Sequence, residues 1–110
     1  MLQKDIYLVS LNPTKGSEQK GKRPVVIISG NTMNKNLGIF IICPISSKVK
    51  GYAGCVTLKK NKINKLDTDS EIITFQIRTI AKERILKKIG EISQEELKEI
   101  FYSLNEVLYY

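Results

Sequence analysis

With 110 residues, 42% of them hydrophobic and 26% charged, the chain has the composition of one globular domain with one core. No segment approaches the roughly 20 apolar residues of a membrane span, and histidine is absent, which removes the commonest metal ligand, the usual general acid–base group and any Ser–His triad. The formal charge of +7 is uneven: residues 1–65 hold twelve Lys and Arg against Asp5 and Glu18, a balance of +10, while residues 66–110 hold six against nine acids, −3, an asymmetry that suggests a polyanionic partner, with a merely cationic soluble surface as the alternative.

The segment DIYLVSL, residues 5–11, predicts a first strand from its β-branched and aromatic content, stopped by Asn12-Pro13. A long charged segment follows, and then PVVIIS, residues 24–29, whose unbroken apolar run predicts a strand buried on both faces. GIFIIC, residues 38–43, predicts a third strand, reached through the Gly30-Asn31 turn and a polar MNKN stretch and ended by Pro44. The polar arm ISSKVKGYAG leads to a short fourth strand at residues 55–58. After the lysine-rich KKNKINK loop, EIITFQIRT at residues 71–79 predicts a fifth strand by alternation, with Ile72, Thr74, Gln76 and Arg78 on one face and Ile73, Phe75 and Ile77 on the other.

The period then changes. Ser93 and Glu96 form a capping-box pattern, and Leu97, Ile100, Phe101, Leu104, Val107 and Leu108 recur at helical spacing. Five short strands closed by one amphipathic helix imply a small, strongly bent sheet or partial barrel spanning the single domain 1–110. The N-terminus lacks the basic, apolar and cleavage regions of a signal peptide, so the expected compartment is the cytoplasm. Cys43 and Cys55, twelve apart in apolar surroundings, read as buried thiols.

Several residues have chemistry to offer. Arg23 is anchored by Pro24 to a buried strand, and a guanidinium based this rigidly suits a phosphate gripped through two parallel hydrogen bonds; a solvated surface charge is the alternative. Ser46 and Ser47 beside Lys48 and Lys50 are plausible phosphate donors, and are equally the content of a plain surface loop. Gln76 and Arg78, two apart, could read a base edge, brace the first loop or satisfy loop carbonyls.

The blocks NPTKGSEQKGKRPVVIIS, CPISSKVKGY and FQIRTIAKERI, in this order and spacing, resemble the MazF/PemK/Kid family of toxin endoribonucleases over nearly the whole chain. The resemblance implies a mainly β fold with α, a small SH3-like barrel of about five to seven strands with a C-terminal amphipathic helix. It implies a homodimer that cleaves single-stranded mRNA at short sequence motifs without a metal or other cofactor, attacking through the substrate's 2′-hydroxyl and leaving 2′,3′-cyclic phosphate and 5′-hydroxyl ends. It further implies a cognate antitoxin, for which charge mimicry suggests an acidic disordered tail. By position, Arg23 matches the family's principal catalytic arginine and Ser46 stands where many members carry a catalytic threonine. Glu18 and Gln19 match a first-loop pair, with Glu18 the candidate catalytic helper, and Gln76 and Arg78 match a Q-x-R strand. Thr14, Lys15, Gln19, Lys20, Lys22, Ser47, Lys48, Lys50, Gln76 and Arg78 form the expected RNA-binding set. Ala81 stands where some branches have an acid, so no base is expected there. Two other readings share this fold: a toxin that binds a protein such as a topoisomerase, and a nucleic-acid-binding barrel without catalysis.

Overall fold

The computed structural model describes residues 1–11 and 21–110. In chain order they form strand β1 (Asp5–Ser10), β2 (Lys22–Ile27), a short helix α1 (Asn31–Asn36), β3 (Ile39–Ser46), β4 (Cys55–Leu58), β5 (Ser70–Ile73), β6 (Arg78–Ala81), β7 (Ile85–Glu91) and helix α2 (Gln94–Tyr109). The strands make one antiparallel sheet in the order β4-β5-β3-β2-β1-β7, with β6 also pairing β3. β4 and β7 end the path without pairing to each other, so the mainly β architecture with its C-terminal helix is as expected but the sheet is not a closed barrel.

β2 divides the interior. Val26 and Ile28 join Ile6, Cys43, Ile45, Ile72, Leu97 and Ile100 in one apolar cluster, while Val25 and Ile27 join Tyr7, Val9, Phe40, Ile42 and Ile80 in another. Successive side chains of a strand point to opposite faces, so the VVII run is consumed two residues at a time by two packing layers. Helix α2 covers the first layer through Leu97, Ile100 and Leu104. Its start carries the full capping box: the Ser93 hydroxyl accepts from the Glu96 N–H at 3.1 Å and the Glu96 carboxylate accepts from the Ser93 N–H at 2.8 Å.

The structure corrects the strand pattern in three places. First, β3 does not stop at Pro44 but runs to Ser46. On one edge it pairs β6 as far as Ile42 and β5 from Ile45, and Pro44 lies in the gap between these partners, where strands tolerate proline. Second, residues 71–79 are not one strand: β5 ends at Ile73, a 3-10 turn covers Thr74–Gln76, and β6 begins at Arg78. Thr74 makes the break. Its N–H donates to the Gly54 carbonyl at 3.0 Å, its hydroxyl bonds the same carbonyl, and that hydroxyl also meets Ser103 of α2 at 3.0 Å. These tertiary bonds override a local alternation that continues undisturbed in the sequence.

Third, β7 and α1 had no counterpart among the expected elements. β7 carries Lys87 and Lys88 in its middle, yet it pairs β1 along its length, with Ile6 opposite Gly90 and Leu8 opposite Lys87. Lys88 meets the buried carboxylate of Asp5 at 3.3 Å. A side chain at Gly90 would stand against the backbone carbonyls of Ile63 and Asn64, so glycine is what lets the 59–69 loop lie on this strand.

Candidate active site

The sheet brings five of the expected residues to one place. Arg23, Ser46, Lys48, Lys50 and Gln76 line a cleft of about 360 Å³, together with Tyr52, Cys55, Glu71 and Phe75. Arg23 stands near the start of β2, half-buried, with its strand neighbours Val25 and Val26 completely buried, so the guanidinium has a rigid base. Ser46 closes β3 and is 7% exposed. Its Oγ accepts the Lys48 N–H at 3.1 Å, which leaves the hydroxyl proton to donate elsewhere.

The 3-10 turn at 74–76 also shapes the cleft. In an unbroken strand Phe75 and Gln76 would face opposite ways, whereas here both reach the same walls. Phe75 is exposed and Gln76 half-buried. Across from them the arm after Ser46 presents Lys48, Lys50 and Tyr52, with the Lys50 ammonium 5.8 Å from the centre of the Tyr52 ring.

Glu71 escaped the sequence reading. It is 3% exposed and stands directly across the ladder from Ser46. Its two carboxylate oxygens accept the N–H groups of Lys50 and Gly51, each at 3.2 Å. The available signal was an acid placed next to Ile72 and Ile73 at the start of an apolar strand, a position where a charge needs partners. Cys55 corrects an expectation: Cys43 is buried, but Cys55 is only half-buried and faces the cleft. Burial pushes the Cys43 thiol up to about 12. The Cys55 thiol is also raised, by burial first and then by the charge and hydrogen bond of Glu71.

The remaining candidates are distributed differently. Ser47 opens to a second cleft of about 230 Å³ that Arg23 also borders, lined further by Leu8, Lys65, Thr68 and Ile89. Lys22 is exposed at the start of β2, and Arg78, opposite Ile42, is half-buried in β6; neither is on the walls of these two clefts. Thr14, Lys15, Glu18, Gln19 and Lys20 lie outside the described residues.

An arginine, a hydroxyl with its proton available, two lysines and two aromatic rings around one opening make a site suited to a phosphodiester chain. The sequence pattern of the family described as PemK-like, MazF-like toxin of type II toxin-antitoxin system matches residues 2–108. The chain belongs to this family. It is 40% identical over 102 residues to the protein named Endoribonuclease MazF of Staphylococcus saprophyticus, covering 91% of this chain and 84% of that one. Among solved structures, MazF from Deinococcus radiodurans shares the fold over 100% of this chain and 97% of its own, with a TM-score of 0.85 at 24% identity. A mycobacterial endoribonuclease in complex with its cognate antitoxin does so over 98% and 94%, with a TM-score of 0.81 at 17% identity. Within the PemK/MazF fold, the cleft therefore lies on the face where β2, β3 and β5 meet.

Among the described residues, no helix is long and apolar enough to cross a membrane.

Proposed function

We propose that this chain, 1–110, is one toxin domain that cleaves single-stranded mRNA sequence-specifically as the toxin of a type II toxin–antitoxin pair, acting in the cytoplasm and inhibiting translation and growth. The observation that carries the reading is the convergence of Arg23 and Ser46, from different strands, on one cleft with Lys48, Lys50 and Gln76. Family membership and the likeness to a named endoribonuclease support it.

The mechanism needs little beyond alignment and charge. The ribose 2′-hydroxyl gives up its proton and attacks the adjacent phosphorus, the bond to the 5′-oxygen of the next nucleotide breaks as that oxygen takes up a proton, and the products end in a 2′,3′-cyclic phosphate and a 5′-hydroxyl with no net change in protons. Charge builds on the non-bridging oxygens as the phosphorane forms. Arg23 meets it with a fixed cation, and Ser46 donates its hydroxyl proton to a non-bridging oxygen; one such preorganised donor is worth on the order of 10² to 10³ in rate. Both reactants lie on one substrate strand, so holding the sugar and phosphate in line supplies further acceleration. Lys48 and Lys50, with Lys22 and Arg78 at the periphery, attract the backbone. Tyr52 and Phe75 offer faces on which bases can stack, and Gln76 offers an amide for a base edge. Thr14, Lys15, Gln19 and Lys20 belong to the first-loop part of the RNA contact, and Glu18 is its candidate proton-handling helper.

The partners follow from the same chemistry. A cationic cleft built for RNA is well blocked by an acidic, disordered segment of an antitoxin, which can follow a groove that a rigid domain could not enter. Phe101, Tyr102, Leu108 and Tyr109 remain exposed on α2, apolar surface that a second copy can cover in the homodimer. The test is incubation of pure protein with a long RNA in the presence of chelator, followed by mapping of the ends. Discrete fragments with cyclic-phosphate ends support the reading. RNA bound yet left whole would indicate a binding barrel, and RNA neither bound nor cut a protein-directed toxin.

A further inference from the structure

The position of Glu71 raises a question that the cleavage reaction does not answer. A buried carboxylate in a cleft for polyanions repels the ligand and costs desolvation energy unless something repays it. Its hydrogen bonds show what does. The arm between Ser46 and Cys55 has no regular secondary structure. One end is tied by the Lys48 N–H on the Ser46 hydroxyl, and the other by the Cys55 N–H on the Tyr52 carbonyl and by Thr74 on Gly54. Its middle, where Gly51 turns the chain at a φ of +68°, is held by the Glu71 carboxylate through the N–H groups of Lys50 and Gly51. Hydrogen bonds to an ionised acceptor are about twice as strong as neutral ones.

We propose that Glu71 is a positioning residue for RNA binding: it fastens the middle of the arm to β5 and so holds Lys48, Lys50 and Tyr52 as a preformed wall of the cleft. The proposal rests on the RNA-cleaving reading and adds to it the device by which the wall is set. The side chain acts through the arm, and its contribution is preorganisation, because a wall ordered beforehand does not have to be ordered by the ligand. Loss of Glu71 should then weaken RNA binding and spare the step carried by Arg23 and Ser46.

The test uses the full chain carrying Glu71→Gln, which keeps the shape but turns an NH₂ toward one of the two N–H groups. Steady-state cleavage of an RNA oligonucleotide and amide hydrogen exchange at Lys50 and Gly51 are measured together. Exchange of the amide left facing the NH₂ should accelerate by about tenfold or more and KM should rise by about tenfold, the scale of losing one hydrogen bond to a charged group, while kcat stays within about threefold. If the melting curve shows that Glu71→Gln does not fold, Glu71→Asp, charged but one methylene shorter, should loosen the same amides and raise KM in the same sense. Unchanged exchange would overturn the fastening role, and faster exchange with an unchanged KM would overturn its role in RNA binding. A wild-type chain that left RNA whole would overturn the functional reading and the RNA role together, an outcome visible without any variant.

Discussion

Ser46 and Glu71 are direct cross-strand partners, one closing β3 and the other inside β5, and both are buried in the cleft that Arg23 borders. Directly opposed residues of an antiparallel pair point to the same face, with their Cβ atoms about 4.5–5.5 Å apart. The hydroxyl proposed to meet the phosphate and the carboxylate that holds the arm are therefore set by a single register. A one-residue slip of β5 against β3 would turn Glu71 to the other face and release the arm.

Arg23→Ala should lower cleavage by at least about 10², the scale of one preorganised donor to a developing oxyanion, with little change in melting temperature, because Arg23 lies at the edge of the buried part of β2. Single-turnover cleavage beside a thermal melt checks it. Full activity in a normally folded variant would remove Arg23 from the reaction.

Ser46→Ala should slow cleavage strongly, whereas Ser46→Thr should keep it, since threonine also offers a hydroxyl proton and a hydroxyl oxygen for the Lys48 N–H. Comparison of kcat for the two variants decides the matter. Equal rates for alanine and serine would move the role elsewhere, with Ser47, which faces the neighbouring cleft, as the next residue to vary.

The helix and the buried β2 run could be read from the chain because their signals are local: a capping box, a three-four repeat and four consecutive apolar residues. β7 could not, because Lys87, Lys88 and Gly90 contradict strand propensity, and pairing with β1 and packing against the 59–69 loop decide its conformation. The turn at Thr74 was hidden for the same reason: its cause is a bond to Gly54, twenty residues earlier, and another to Ser103 on the helix. At the site, Arg23 and Ser46 were visible through motif resemblance. Glu71 matches no motif, and its role depends on backbone N–H groups that no side-chain pattern records.

Ile100→Asp should destabilise the chain by about 3 kcal/mol or more, since Ile100 is 0% exposed and an unpaired carboxylate would replace it in the larger apolar cluster. For a chain of this size that is a fall of roughly 10–20 °C in melting temperature. An unchanged melting curve would mean that this face of α2 is open to water.

The two thiols should differ in reactivity. A pKa raised to about 12 keeps Cys43 protonated at pH 8, and it is 0% exposed, so an alkylating reagent should leave it unmodified in the folded chain. Cys55, raised by burial and by Glu71 but half-open to the cleft, should react slowly, and faster as the pH rises and more thiolate forms. RNA should protect it. Mass spectrometry after timed alkylation reads both sites, and equal labelling of the two would contradict the burial difference.

The central claim, attack by the substrate's own 2′-hydroxyl in the Arg23–Ser46 cleft, is tested most directly with a single deoxy sugar. An RNA oligonucleotide carrying one 2′-deoxy substitution on the 5′ side of the scissile phosphate should bind with almost unchanged affinity, because phosphate contacts dominate and one hydroxyl among many adds little. It should not be cut at that phosphate, while the all-ribose oligonucleotide is cut with full activity in chelator and yields a 2′,3′-cyclic phosphate. Cleavage of the deoxy-substituted strand at the same phosphate would contradict the mechanism and the roles given to Arg23 and Ser46.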